Sequence, residues 1–327
     1  MDHIPASAMP TLRQLQFLLA LQRESSFVAA AEVVGVTQPT LSAGIKELET
    51  ALGVTLVERG RSGAVLTPAG EEAAAHAARA VSEVEDLVRA AQAGSEPLTG
   101  HFRLGAIPTI APFLLPRALP LIKERFPRLK LHLREDVTHR LIEALRARTL
   151  DAAIIAMPYS AAGIETALIA DDEFLLLAPE RHPLATRNDL APEHLKDADV
   201  LLLEDGHCLR DHALQVCKTP PGKLAADVGA TSLHTLVQMV AGGFGVTLLP
   251  RLAADAGVAS GAPVTMRPFS SPVVGRAIGM AWRESSSREK EALMLVDLLR
   301  REVFAATQDT AIQTRPSDAK PEPASAR

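Results

Sequence analysis

The sequence predicts an α/β protein with an N-terminal helix-turn-helix, one long helix and two α/β lobes. Three observations lead to this fold class. Two helical patterns separated by a turn come first, an alanine-rich stretch with one apolar seam follows, and beyond it short apolar runs alternate with helical segments. With 327 residues, 47 % of them hydrophobic, the chain is long enough for two or three domains with well-filled cores.

Residues 11–58 have helical periodicity, and the middle of this segment is typical of a helix-turn-helix. Ala31 is small enough to lie where two helices cross, and Gly35 provides the turn. Thr37 is placed to cap the second helix, and Pro39 fits its first turn. Acidic and basic residues balance here, so an ordinary helical hairpin is the alternative to DNA binding. In a DNA-binding reading, the side chains that face the major groove are Gln38, Thr40, Ser42 and Lys46.

Gly44 lies inside the predicted recognition helix, where glycine costs about 1 kcal/mol relative to alanine. We therefore expect a close helix crossing or backbone approach at this position.

A long helix is predicted to begin at Leu66-Thr67-Pro68-Ala69-Gly70. It ends at residues 93–97, which have the composition of a linker. One narrow apolar seam on a long helix predicts pairing with a second copy of the chain. The seam consists of Ala77, Ala80, Val81, Val84, Leu87, Val88 and Ala91.

Beyond the linker, alternating strands and helices predict α/β units with largely parallel sheets. The chain is expected to cross from the first lobe to the second near Ala170 and to return near Phe269, and residues from 307 onward have a disordered composition. The predicted strands are residues 102–107, 129–135, 152–156, 174–178, 200–204, 246–249 and 277–282. The predicted helices are residues 111–125, 138–147, 209–216, 232–242 and 287–304.

The net charge of −5 gives no general electrostatic case for binding nucleic acid or an anionic membrane. No apolar run reaches the roughly 18 residues that a membrane span requires, and the first ten residues lack the features of an export signal. We therefore expect a cytoplasmic protein without a membrane partner, metal or cofactor. In a reducing compartment, a cysteine pair is more often regulatory or catalytic than structural.

The two cysteines, Cys208 and Cys217, lie within one segment of helical periodicity. Nine steps along a helix rise about 13.5 Å and rotate about 900°, which puts the thiols on opposite sides. A disulfide requires Cα atoms within roughly 7 Å. The segment would have to unwind before the bond forms, which is the design of a redox switch.

The surroundings of Cys208 favour a reactive thiolate. It would lie in the first turn of the helix, where the dipole stabilises an anion, and His207 and Arg210 add cationic donors. Cys217 has fewer such neighbours, so Cys208 is predicted to attack and Cys217 to resolve. The alternative is that both are small buried hydrophobes, as isolated cysteines usually are.

These features together resemble the LysR-type transcriptional regulators over nearly the whole chain. The run Glu204-Asp205-Gly206-His207-Cys208-Leu209-Arg210-Asp211, with Cys217, is similar to the hydrogen-peroxide-sensing branch of that family. The resemblance implies a winged helix-turn-helix domain at 1–66, a dimerising linker helix at 67–97 and a periplasmic-binding-protein-like regulatory domain at 98–306. Its lobe I would be 98–170 and 270–306, its lobe II 171–269, and residues 307–327 a disordered tail.

The resemblance also implies roles for particular residues. Cys208 corresponds to the peroxidatic cysteine and Cys217 to the resolving one, while Thr109 and Thr138 match two loop threonines that bind peroxide. A helix cap or a loop hydrogen bond is the alternative role for each threonine. Breaking an O–O bond needs a deprotonated sulfur and donors for the departing oxygen. The remaining matched positions are His207, Arg210 and Asp211, with Asp211 expected to fix Arg210.

For DNA, the resemblance implies that Thr37, Gln38, Pro39, Thr40, Ser42 and Lys46 form the recognition face. Gly63 and Ala64 stand in the wing, where many relatives have basic side chains, so Arg59 and Arg61 would have to make most phosphate contacts. It further implies promoter DNA, RNA polymerase, hydrogen peroxide, a thiol reductant such as glutaredoxin or thioredoxin, and a homodimer or homotetramer as partners.

Three functions are therefore in competition. The first is a regulator that is activated by peroxide through Cys208 and that controls antioxidant genes. The second is a LysR-type regulator that binds a small metabolite between its lobes, with incidental cysteines. The third is a thiol peroxidase, which the DNA-binding half disfavours, so the chain is not expected to be an enzyme.

Overall fold

The structure, a computed structural model, describes residues 9–60, 63–91, 97–217, 230–270, 274–284 and 286–305. Its contacts divide the chain into two compact units, one formed by residues 1–96 with 142–151 and the other by residues 97–141 with 152–327. In the described part of the chain, no helix is long and apolar enough to cross a membrane. The predicted tail at 307–327 lies outside the described residues.

Three helices open the first unit: α1 (Leu12–Glu24), α2 (Phe27–Val33) and α3 (Gln38–Leu52). Each begins where a hydroxyl side chain accepts a hydrogen bond from a free amide of the first turn. Thr37 does this for helix α3, accepting from the amide of Thr40 at 3.4 Å, and Pro39 lies in the first turn as predicted. The helices enclose one apolar core, which contains Phe17, Leu18, Leu21, Ala30, Ala31, Leu41, Ile45, Leu48 and Leu56.

The two glycines of this motif have the roles that the sequence predicts. Gly35 has a φ of +68°, a left-handed conformation that favours glycine in the turn between α2 and α3. Gly44 is buried, and a Cβ atom placed there would lie 2.6 Å from Cδ2 of Phe17. Helices α1 and α3 can therefore approach this closely only because residue 44 has no side chain.

The helical prediction for residues 11–58 is wrong at its end. Helix α3 stops at Leu52, and a two-stranded antiparallel hairpin follows, formed by β1 (Val57–Gly60) and β2 (Gly63–Leu66). The amide of Ala64 donates to the Ser25 carbonyl at 2.9 Å, which attaches the hairpin to the end of helix α1. This hairpin is the wing of a winged helix-turn-helix.

Helix α4 (Pro68–Ala91) is the long helix that the sequence predicts. The Thr67 hydroxyl accepts from the amide of Gly70 at 3.0 Å and donates to the Thr55 carbonyl at 2.8 Å, so this threonine both caps the helix and ties it to the unit. Ala77 of the seam is buried, whereas the exposed seam residues include Val84, Leu87 and Val88.

One seven-stranded sheet forms the second unit, with the strand order β4-β3-β5-β9-β6-β7 and with β8 paired to β6. The strands are β3 (Gly100–Ala106), β4 (Leu129–Glu135), β5 (Ala152–Met157), β6 (Ile164–Pro179), β7 (Thr247–Pro250), β8 (Val264–Pro268) and β9 (Gly275–Arg283).

The expectation of largely parallel pairing is wrong. Only the β3–β4 and β3–β5 pairs are parallel among the described strands, because β9 returns from the end of the chain and inserts antiparallel between β5 and β6. Strand β6, with 16 residues, is about three times as long as the predicted strand 174–178. Residues 164–173 pair with β9, and residues 174–179 pair with β7 and β8. One continuous strand thus carries the chain past Ala170, where the crossing between lobes is predicted.

The helices of this part of the chain mostly lie where the sequence predicts them. They are α5 (Ala111–Arg125), α6 (Thr138–Arg146), α7 (Cys208–Cys217), α8 (Leu233–Ala241), α9 (Arg251–Asp255) and α10 (Glu289–Leu298), the last continued by a π-helical turn, Leu299–Phe304.

Residues 200–204 do not form the predicted strand. Val200 bridges Val246, whereas Leu203 bridges Ala230, so the segment changes partners before a ladder can form. An apolar run of this length is compatible with a strand, but the hydrogen-bond partners of its backbone are not encoded locally.

Candidate functional site

Helix α7 begins at Cys208 and ends at Cys217, which confirms the helical prediction for this segment. The amide of Arg210 donates to the His207 carbonyl at 2.9 Å and closes the first turn. The Cα atoms of Cys208 and Cys217 are therefore separated by nine helical steps, a rise of about 13.5 Å. This is roughly twice the largest separation that a disulfide spans. The side chain of Cys217 lies outside the described part.

Cys208 is a free, partly buried thiol. Burial raises the pKa of this thiol above its ordinary value, and the Asp211 charge raises it further, while the Arg276 charge, the nearby Thr138 hydroxyl and the backbone amide lower it. The raising influences prevail. The sequence-based expectation of an activated thiolate is therefore wrong for the resting site, because helix position and nearby cations do not offset removal from water.

Thr138 is the first residue of helix α6, and its hydroxyl is buried beside Cys208. In the resting geometry Oγ1 has no hydrogen-bond partner among the described residues. A buried hydroxyl without a partner is costly, which indicates that a further group, such as a ligand, completes its hydrogen bonding. The hydroxyl is nevertheless close enough to the Cys208 sulfur to lower the pKa of that thiol.

Thr109 lies in the turn between β3 and α5 and is bound by Arg276, a residue that the sequence analysis missed. Arg276 Nη1 donates to Thr109 Oγ1 at 2.7 Å, and Nη2 donates to the Thr109 carbonyl at 2.9 Å. Nε of the same guanidinium donates to Asp172 Oδ2 at 3.0 Å, with 0 % and 1 % of the two side chains exposed. The remaining oxygen of Asp172 accepts from the amide of Leu252 at 2.9 Å.

This network places a fixed positive charge next to the thiol. Arg276 lowers the pKa of Cys208, so the guanidinium lies close enough to stabilise a thiolate. Because Thr109 accepts from Arg276, its own hydroxyl proton remains available to a third group. Thr109, Thr138 and Cys208 thus come from three separate elements. Thr138 and Arg276 both act on the thiol, and Arg276 binds Thr109, while the roles of the two threonines stay a prediction.

The predicted pairing of Arg210 with Asp211 is wrong. Arg210 Nε contacts Asp205 Oδ1 at 2.9 Å, and Nη1 donates to the Leu203 carbonyl at 3.2 Å. Neighbouring residues on a helix do not face each other, whereas Asp205 precedes the helix and can fold back onto its first turn. Asp211 is exposed and His207 is half-buried.

His212 is a second residue that the sequence analysis missed. It follows Cys208 by four positions in helix α7, and its Nδ1 atom is buried with no hydrogen-bond partner among the described residues. Burial lowers the pKa of His212, and the charge of Arg276 lowers it further, while Asp211 raises it. The spacing of four from Cys208 was the available signal. Arg276 had none, because it lies 167 positions from its partner Thr109.

The candidate DNA-binding face lies at the start of helix α3. Of its residues Ser42 is half-buried, and the exposed ones are Thr37, Gln38, Pro39, Thr40 and Lys46. The side chain of Arg59 and the whole of Arg61 lie outside the described residues. No group of three or more histidine, cysteine, aspartate or glutamate residues that could hold a metal ion occurs within the described ranges.

Two family models match this chain. Residues 12–71 match the bacterial regulatory helix-turn-helix protein of the lysR family, and residues 95–303 match the LysR substrate binding domain.

Individual relatives agree with these matches. A probable hydrogen peroxide-inducible genes activator from Mycobacterium avium is 43 % identical over 292 residues, which are 89 % of this chain and 93 % of the relative. Full-length OxyR from Pseudomonas aeruginosa, solved as a single-residue variant, is 38 % identical with a TM-score of 0.74, covering 89 % and 94 % of the two chains. A hydrogen-peroxide-bound OxyR mutant from Corynebacterium glutamicum is 34 % identical with a TM-score of 0.65, covering 93 % and 96 %.

The chain therefore belongs to the LysR family of DNA-binding transcriptional regulators, and within that family to the OxyR group.

Proposed function

We propose that this chain regulates transcription in response to hydrogen peroxide through Cys208 and Cys217, and that it controls antioxidant genes. The observation that carries the proposal is the position of these cysteines at the two ends of helix α7. Since a disulfide cannot span an intact helix of this length, bond formation requires helix α7 to unwind. Names of the relatives support peroxide as the signal.

The proposed chemistry begins when Cys208 has lost its proton. Its sulfur attacks one peroxide oxygen, so an S–O bond forms while the O–O bond breaks, and the second oxygen leaves as water with the thiol proton. Cys208 then holds a sulfenic acid. The Cys217 thiol attacks this sulfur and releases its hydroxyl group as a second water, which completes the disulfide.

Three groups are suited to this reaction. Thr109 and Thr138 can donate to and accept from the peroxide, and Arg276 provides positive charge for the thiolate and for the departing oxygen. His207 and Arg210, at the start of helix α7, are proposed to hold the N-terminal turn that carries Cys208. We assign Asp211 no hydrogen bond in the site, and its charge opposes thiolate formation.

Refolding of helix α7 is proposed to alter how regulatory domains pack and thereby how paired DNA-binding domains lie on a promoter. The exposed Val84, Leu87 and Val88 of helix α4 support pairing with a second copy, and a homotetramer is the proposed assembly. RNA polymerase, and a reductant of the glutaredoxin or thioredoxin class, complete the proposed cycle in the cytoplasm. The limits 1–66, 67–97 and 98–306 and the two lobes stay predictions.

The proposal competes with a metabolite-sensing regulator and with a thiol peroxidase. A peroxidase needs repeated turnover and no DNA-binding domain, whereas a transcriptional regulator needs one. The helix-turn-helix of the lysR family at residues 12–71 therefore favours regulation over peroxide removal.

Three proteins test this proposal: the wild type, Cys208→Ser and Cys217→Ser. Peroxide at stoichiometric concentration should link the cysteines in the wild type and leave a trappable sulfenic acid on Cys208 in Cys217→Ser. Only the wild type should change the length or phase of its footprint on a bound promoter. A Cys208→Ser protein that still responds to its inducer would favour the metabolite-sensing alternative.

A further inference from the structure

His212 lies one helical turn after Cys208 on the same face of helix α7. Residues four apart on a helix are neighbours, with Cβ atoms about 5–6 Å apart. A helical side chain also leans toward the N-terminus and covers the turn before its own Cα atom. The imidazole of His212 therefore leans over the turn that carries the Cys208 thiol.

Both residues share one electrostatic environment. The charges of Arg276 and Asp211 act on the Cys208 thiol and on the His212 imidazole alike. The imidazole is half-buried, and Nδ1, which is shielded from solvent, has no partner among the described residues. A buried ring nitrogen without a partner is a costly feature, and it is explained if a bound molecule supplies the missing hydrogen bond.

We propose that His212 is a further catalytic residue of the peroxide reaction: its imidazole contacts the peroxide beside Cys208 and carries the thiol proton to the departing oxygen. This inference rests on the proposed function. An electron pair of the Cys208 sulfur forms the S–O bond while the O–O bond breaks. The thiol proton moves to Nδ1 and then to the leaving oxygen, which departs as water. The imidazole ends the step in the neutral form in which it began.

A proton carrier is needed here because burial holds Cys208 in its neutral form. His212 is suited to the task because burial and Arg276 also keep its imidazole neutral, and a neutral imidazole can accept a proton. The 3-10 turn Pro192–Leu195, which packs against helix α7, carries two further titratable side chains, Glu193 and His194. The pKa of His212 responds to Arg276 and Asp211, and these are the charges that set its proton affinity.

The wild-type protein alone gives a first test, since two reagents distinguish a proton carrier from thiol ionisation. Hydrogen peroxide has a leaving oxygen that takes a proton, whereas iodoacetamide releases iodide, which takes none. With His212 as carrier, the peroxide rate constant should change less than about threefold between pH 7 and 8, while the alkylation rate rises about tenfold as thiolate forms. Equal tenfold increases for both reagents would overturn the proposal.

The variant test uses His212→Gln, which keeps a polar side chain of similar size but cannot carry a proton. At pH 7 its peroxide rate constant should fall at least about tenfold, and the difference should shrink toward pH 10, where the thiol ionises unaided. His139→Gln, which removes an exposed imidazole next to Thr138 on helix α6, is the matched control and should react as the wild type does. A fall of equal size at every pH would mean a structural role and overturn the proposal.

Failure of this inference can be told from failure of the proposed function. If the wild type forms the disulfide and His212→Gln does so at the same rate, only the role of His212 is lost. If Cys208 of the wild type stays reduced under stoichiometric peroxide, the proposed function fails and the inference fails with it. Should His212→Gln not fold, His212→Asn takes its place, and the wild-type pH profile still decides.

Discussion

Replacing Arg276 by methionine should destabilise the second unit and slow the reaction of Cys208 with peroxide. The guanidinium makes hydrogen bonds of 3.0, 2.7 and 2.9 Å to Asp172 and Thr109. Its side chain and that of Asp172 are 0 % and 1 % exposed, so the variant leaves a buried carboxylate without its partner. Removing one member of a buried pair costs about 3–5 kcal/mol of unfolding free energy.

A double variant separates the structural effect from the chemical one. Asp172→Asn combined with Arg276→Met removes both charges and keeps an acceptor for the amide of Leu252. Its loss of unfolding free energy should shrink to about 1–2 kcal/mol, since only the hydroxyl and carbonyl oxygens of Thr109 lose a donor. Its peroxide reaction should stay slow, because the Arg276 charge that lowers the pKa of Cys208 is still missing.

Urea unfolding followed by the fluorescence of Trp282 provides the assay. This residue is the single tryptophan of the chain, is buried, and lies on strand β9 with Arg276, so its emission reports on the second unit. A loss below about 1 kcal/mol for Arg276→Met would contradict the account of a buried pair. So would a double variant no more stable than the single one, or one that reacts with peroxide as the wild type does.

Three further outcomes are expected. Because burial raises the pKa of Cys208, its thiolate forms at a higher pH than that of an ordinary cysteine. The rate of alkylation by iodoacetamide should therefore still increase above pH 8.5, and a rate that levels off below that pH would contradict the burial argument. Gly44→Ala should destabilise the first unit by about 1–3 kcal/mol in thermal unfolding, because its Cβ would meet Phe17 at 2.6 Å, and a stabilised protein would show that the ring moves away. Gln38→Ala should reduce discrimination between cognate and altered promoter sites by about 1–3 kcal/mol in binding titrations without changing the stability of the protein. Lys46→Ala should weaken binding to all DNA and reduce the slope of log binding constant against log salt concentration by about 1.

Local features of this fold were predictable from the sequence because they depend on neighbouring residues. The cap at Thr37 and the turn at Gly35 each depend on residues within a few positions. Gly44 is visible as a glycine inside a helical pattern, although the ring that its Cβ would meet belongs to Phe17 of another helix. Helix α7 and its terminal cysteines were predictable for the same reason. Periodicity and capping report on the chain's immediate surroundings, and these elements need nothing else.

The rest of the site depends on contacts between distant segments. Strand β9 inserts between β5 and β6, and this topology brings Arg276 to Thr109 across 167 positions. The pKa of Cys208 was misjudged for the same reason: local cations were visible in the sequence, but the burial that outweighs them arises only when the unit folds. Only the position of His212 could have been predicted, because a spacing of four residues places it next to Cys208 on a helix.

Hydrogen exchange across helix α7, compared before and after a Cys208–Cys217 disulfide has been verified by mass spectrometry, tests the central claim most directly. An intact helix holds the two Cα atoms about 13.5 Å apart, so the oxidised protein should show faster amide exchange between the cysteines. The Cys217→Ser protein treated with the same peroxide should show little of this increase. Unchanged exchange in a protein with a verified disulfide would contradict the claim that oxidation unwinds helix α7.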